Sequence, residues 1–198
     1  MKNFKVVTLT LLLFGMAASP AMAEGYYAAL DAGQSKAKDA CTGVPGGWTG
    51  CSDTGTMVRI AGGYQFTPMW GAEISYADLG SASLGSGIIS SIAVSGNYKA
   101  SSVQLSGTGT FPVTDAFSII AKLGIASTDL TVTASGGGVS VDQSATTTKA
   151  AFGIGAQYDF TKNISVRAQY EDLGDVGDSN TTGTSNVTLL SAGLVYKF

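Results

Sequence analysis

At 198 residues, with a formal net charge of -3 and only 13 % charged residues, the chain has the length of one domain and no basic face for nucleic acid. It contains no histidine, so a Ser/His/Asp relay and a Cys/His pair are both excluded, and a metal site loses its commonest ligand. No enzyme activity, cofactor or metal is expected. Glycine is abundant at 27 residues, serine and threonine crowd every segment, and no stretch keeps a helical apolar period, which points to strands.

The N-terminus has the pattern of a secretory signal peptide over residues 1–23. Lys2 and Lys5 form a charged start, Val6 to Met16 an apolar run, and Ala21-Met22-Ala23 a cleavage site before Glu24. The apolar run falls short of the roughly 20 residues that a spanning helix needs, and no other stretch approaches it. Export is therefore expected, with residues 24–198 as a single domain whose membrane residence rests on strands.

Eight segments alternate in polarity at the length a tilted membrane strand requires, about 10 to 12 residues. They run over 25–34, 56–66, 69–79, 98–111, 116–127, 147–160, 164–174 and 187–198. Phe66-Thr67-Pro68-Met69, Pro112-Val113-Thr114-Asp115 and Thr161-Lys162-Asn163 read as short turns. The segments 35–55, 80–97, 128–146 and 175–186 read as long glycine- and serine-rich loops, with Gly136-Gly137-Gly138 as a flexible tip. Short turns on one side and long loops on the other suit an outer-membrane barrel.

In the first long loop, Cys41 and Cys51 flank a Gly- and Pro-rich turn that contains Trp48. In an oxidising compartment such a pair most simply forms a disulfide, and a second Cys pair that would complete a metal site is missing. Trp48 is a candidate contact residue on a constrained loop, against the alternative of a loop packed on itself.

Aromatics cluster at the short-turn ends: Tyr26, Tyr64, Phe66, Trp70, Phe111, Phe117, Tyr158, Phe160, Tyr196 and Phe198, with Ile164 standing in on the seventh strand. That is an interfacial belt. Taking the aromatic-bearing rows as outward leaves an uncharged outer surface across the strand centres, including Leu30, Ile60, Ile74, Leu105, Leu123, Ile154 and Leu194. The inward rows then hold Asp31, Arg59, Glu73, Gln104, Lys122, Gln157, Arg167, Gln169 and Glu171. A soluble barrel would place its charges and apolar residues the other way round. Asp78 and Asp172 fall in the outward phase, within the repeated Tyr76-Ala77-Asp78-Leu79-Gly80 and Tyr170-Glu171-Asp172-Leu173-Gly174, and are expected above the hydrocarbon or in a bulge.

The last strand, Val187 to Phe198, carries Leu190, Ala192, Leu194, Tyr196 and Phe198 on one face, which suits a strand that closes a barrel with its apolar face toward lipid. Gly63-Tyr-Gln-Phe66, Glu73 to Gly80, Ala121 to Ala126, Val166 to Gly174 and Ser191 to Phe198, in this order and spacing, make the chain resemble the transmembrane domain of the OmpA-type outer-membrane proteins, with the small OmpX-like barrels close by. The resemblance implies an all-β, eight-stranded antiparallel up-and-down barrel in the Gram-negative outer membrane. It also implies insertion by the assembly machinery that reads a C-terminal aromatic strand (Tyr196, Phe198), and loops displayed at the cell surface. The peptidoglycan-binding domain of full-length OmpA is not expected here.

Three inward acids, Asp31, Glu73 and Glu171, face three inward bases, Arg59, Lys122 and Arg167. Buried charges must be paired, and an eight-strand lumen is just wide enough for side chains to fill. Glu73 and Arg167 lie on opposite strands and are expected to meet across it. These charges form either a structural plug or a gate for a narrow passive channel. Glu171, Asp172, Asp175 and Asp178 do not match the spacing of a calcium loop and read as a solvated acidic loop. The expected function is a structural or surface-interaction role, adhesin- or antigen-like, with the porin-like channel as the alternative. The expected partners are the outer-membrane bilayer, the assembly machinery and a surface ligand bound through the long loops, the chain itself being a monomer.

Overall fold

The computed structural model describes residues 25–38, 40–41, 49–89, 92–178 and 183–198. The signal-peptide reading and Trp48 fall outside these residues. Among the described residues nine strands form, each in a segment where β-branched, aromatic or small residues alternate between two faces. They are β1 (Gly25–Ala37), β2 (Thr49–Cys51), β3 (Thr54–Gln65), β4 (Trp70–Ile89), β5 (Ile92–Pro112), β6 (Phe117–Gly136), β7 (Val139–Asp159), β8 (Ile164–Asp178) and β9 (Gly183–Lys197). All pairings are antiparallel, and β1 pairs both β3 and β9, so eight strands close on themselves. In lipid this closure is obligatory, because an unpaired edge has no water to turn to. β2 lies outside the barrel as an added strand on β4, with Thr49 opposite Ser86 and Cys51 opposite Leu84.

Within the barrel the alternation follows the sequence reading. Leu30, Ile60, Ile74, Leu105, Leu123, Ile154, Leu190 and Leu194 face out and are exposed, whereas the charged rows face in and are buried. The aromatic belt is a set of touching rings: Tyr26 with Tyr64 (centroids 4.8 Å apart), Trp70 with Phe111 (6.0 Å), Tyr158 with Phe160 (5.1 Å) and Tyr196 with Phe198 (5.1 Å).

Beyond the belt's far side the structure departs from expectation. Residues 80–97 and 128–146 are not loops: β4 and β5 stay paired to Ile89 and Ile92, and β6 and β7 to Gly136 and Val139. Gly137 and Gly138 take φ of 59° and 81°, the mirror-image turn whose twist suits a two-residue hairpin. The glycine run is a tight turn, not a flexible tip. The missed cue is Leu130, Val132 and Ala134 followed by Val139 and Val141, a period of two on either side of that turn. β4 to β7 are 20 or 21 residues long, about twice what crossing the hydrocarbon takes.

The two Asp-Leu-Gly repeats are matched bulges. Ladder register shifts between Asp78 and Ser81 on β4 and between Asp172 and Asp175 on β8. In each, the glycine N–H donates to the aspartate Oδ1, Gly80 to Asp78 at 2.8 Å and Gly174 to Asp172 at 2.7 Å. Gly80 and Gly174 have φ of 82° and 74°, which side chains with a Cβ rarely adopt. Past each bulge the alternation changes phase, so Ala82 and Val176 turn inward.

Candidate functional site: the filled lumen and the projecting sheet

Six inward charges, carried by β1, β3, β4, β6 and β8, meet in one closed ring. Asp31 Oδ2 accepts from Arg59 Nε at 2.9 Å and from Arg167 Nη2 at 2.7 Å. Arg167 Nη1 donates to Glu73 Oε2 at 2.6 Å, across the lumen. Lys122 Nζ donates to Glu73 Oε1 at 2.7 Å and to Glu171 Oε1 at 3.2 Å, and Arg59 Nη1 reaches Glu171 Oε2 at 2.8 Å. Each charge thus bonds two of opposite sign, and none is more than 4 % exposed. A neutral, hydrogen-bonded ring is the form in which buried charge is tolerated.

Sequence reasoning missed what lies on either side of the ring. Toward the projecting strands, Met57, Leu79, Leu173, Leu189, Val176 and Val187 pack with Ala77, Ala100, Ala126 and Ala151 into an apolar layer. Its signal was the inward phase of Leu79, Leu173 and Leu189, overlooked because the inward rows were read for their charges. On the short-turn side, Tyr27 packs with Ala29, Ala61 and Val195, and its hydroxyl donates to Glu73 Oε2 at 3.0 Å. Gly63 leaves the space its ring occupies. The charged ring is therefore covered on both sides.

The acidic loop residues separate rather than converge. Glu171 joins the ring, whereas Asp172 lies on the outward side, where its Oδ1 also accepts from Asn186 Nδ2 at 3.0 Å. Among the described residues no three His, Cys, Asp or Glu gather as a metal site.

Beyond the membrane, Cys41 and Cys51 are joined, with Cα atoms 5.9 Å apart, and the bond ties the first loop to β2 and hence to β4. Tyr98 on β5 donates its hydroxyl to the Ser52 carbonyl at 3.2 Å, and Ser52 N–H donates to the Ser83 carbonyl at 2.8 Å. Burial pushes the Tyr98 phenol up, and the nearby Asp53 carboxylate adds to the effect. β2, β4, β5, β6 and β7 form one sheet that stands above the barrel.

A family model described as OmpA-like transmembrane domain matches residues 21–198. The chain belongs to the OmpA-like transmembrane domain family. Outer membrane protein A of Shigella flexneri is 33 % identical to it, the match covering 79 % of this chain and 48 % of that protein. For outer membrane protein A of Salmonella typhi the figures are 31 %, 77 % and 46 %. The chain spans about half the length of these curated relatives. Among solved structures, Neisserial surface protein A superposes with a TM-score of 0.60 at 19 % identity, covering 88 % of this chain and 97 % of that one. Ail, the attachment invasion locus protein of Yersinia pestis, solved with the heparin analogue sucrose octasulfate, gives 0.57 at 19 % identity and coverages of 89 % and 100 %. At that identity the last two show the fold alone. Family membership and the aromatic-belted barrel place the chain in the Gram-negative outer membrane.

Proposed function

We propose that this OmpA-like barrel acts at its outer end, as a surface-interaction protein anchored by a filled barrel, and not as a conduit. The observation that carries the reading is the lumen: a neutral ring of six charges lies between the apolar layer around Leu79, Leu173 and Leu189 and the layer around Tyr27. Opening a path would require parting the ion pairs and also wetting an apolar constriction. The strand length spent beyond the membrane on β4 to β7 supports the same reading. Insertion by the outer-membrane assembly machinery, with Tyr196 and Phe198 as its signal, and a monomeric state belong to this proposal.

The test has two arms. Refolded protein in a planar bilayer should be silent, and reproducible small openings altered by Glu73→Ala or Arg167→Ala would establish the gated channel instead. Cells displaying the chain should adhere to host or neighbouring cells more than cells displaying a version in which residues 128–147 are cut to a short turn. Trp48→Ala examines the first loop in the same assay. Equal adhesion by all versions would overturn the surface role.

A further inference from the structure

The sheet above the barrel has two flanks, and they are finished differently. On β4 the outer edge is covered by β2, locked through the disulfide. On β7 the ladder to β8 begins only at Phe152 opposite Asp172. Above it a side chain makes the contact instead, Thr147 Oγ1 donating to the Gly177 carbonyl at 3.1 Å. From Val139 to Thr146, β7 pairs β6 alone among the described residues.

Which groups this leaves free follows from the turn. In a two-residue hairpin the flanking residues, Gly136 and Val139, form a hydrogen-bonded pair, so the odd-numbered residues of β7 bond β6. The lower end agrees: Asp159 N–H donates to the Ala116 carbonyl before β6, and Phe160 N–H to the Ile164 carbonyl of β8. Among the described residues, this edge therefore presents the N–H and C=O of Ser140, Asp142, Ser144 and Thr146 without a strand partner. It lacks the usual guards of an exposed edge, since residues 139–146 contain no proline and no lysine. Val139 and Val141, both exposed, lie on one face of this edge; Asp142, bonded to Thr133 Oγ1, lies on the other.

The electrostatics select the occupant. Residues 128–147 contain Asp129 and Asp142 and no basic residue. Asp172 and Asp175 lie on the outward side of the neighbouring β8 bulge; the cations nearest the edge among the described residues are Lys149 at the base and Lys99 on β5, which sits opposite Thr131 and pairs with Asp78 at 3.7 Å, so acids outnumber bases around it. We infer that the free edge of β7, from Ser140 to Thr146, binds an extended cationic peptide segment by strand addition. Main-chain hydrogen bonds supply the affinity in such a complex, and alternate side chains supply the selection. The inference rests on the surface-interaction reading and names its partner class.

The test uses the full refolded chain in dodecylphosphocholine micelles and three fluorescein-labelled octapeptides. One alternates Lys and Val, one alternates Glu and Val, and one is the Lys-Val peptide N-methylated at every backbone nitrogen, which removes the donors from both of its edges. Fluorescence anisotropy should show the first binding at least tenfold more tightly than the other two, and more weakly as salt rises. Ser144→Pro, which removes an edge donor that β6 does not use, should lower the affinity at least tenfold. Absence of binding, or equal binding of the N-methylated or the Glu-Val peptide, overturns the inference without relying on any variant. If trimming residues 128–147 abolishes cell adhesion while Ser144→Pro preserves it, the edge inference fails and the surface role stands.

Discussion

The same strands behave differently on the two sides of the membrane boundary. Inside the hydrocarbon, β4 to β7 have both edges paired, an outer face free of charge and an inner face where every charge has partners. A few residues further on, β4 has a short added strand covering its edge, and among the described residues β7 from Val139 to Thr146 is paired on one side alone. Lipid charges several kcal/mol for each unsatisfied backbone group, whereas water satisfies it at once. Closure is thus a demand of the solvent, and it lapses where the solvent changes.

The largest effect should come from opening the ring. Arg167→Met leaves Asp31 and Glu73 each short of a partner, and urea titration of the refolded barrel should show a loss of about 3 to 5 kcal/mol. Replacing both members of a pair, as in Glu73→Gln with Lys122→Met, should cost less than the two single losses combined, because neither charge is then stranded.

A matched pair of charge insertions sharpens the boundary itself. Leu123→Arg, on the lipid face of β6, should destabilise by about 2 to 4 kcal/mol. Val139→Arg, equally exposed but in water, should stay within about 0.5 kcal/mol in the same titration. Equal costs would mean that the projecting sheet lies in lipid.

A smaller effect is expected at the bulges. Gly174→Ala forces a side chain into a left-handed backbone and should cost about 1 to 2 kcal/mol. The smallest effect on folding should come from Phe198→Ala, an exposed ring at the belt. It should leave refolding in detergent nearly unchanged while lowering the amount of protein in the outer membrane. Unchanged membrane levels would remove Phe198 from the assembly signal.

Much of the lower molecule was legible because lipid writes its requirements directly into residue order. An apolar residue at every second position and aromatics at one level leave little freedom, and Tyr76-Ala-Asp78-Leu79-Gly80 with its twin on β8 marked both bulges. The charge count of three against three likewise announced a paired interior. The projecting hairpin was misread because in water Ser, Thr and Gly serve strands and loops alike. Only Leu130, Val132, Ala134, Val139 and Val141 around the glycine turn betrayed the strand period.

By itself, then, the sequence determined that this chain is a closed, lipid-facing barrel with neutralised charges inside. It did so through local alternation, a property of neighbouring residues. The tertiary structure decided which charge meets which, that Tyr27 and an apolar layer enclose the ring, and that among the described residues β7 rather than β4 keeps an edge without a strand partner. Those outcomes depend on strand stagger and on how far each hairpin outlasts its neighbours, quantities that arise only when distant strands are brought into register.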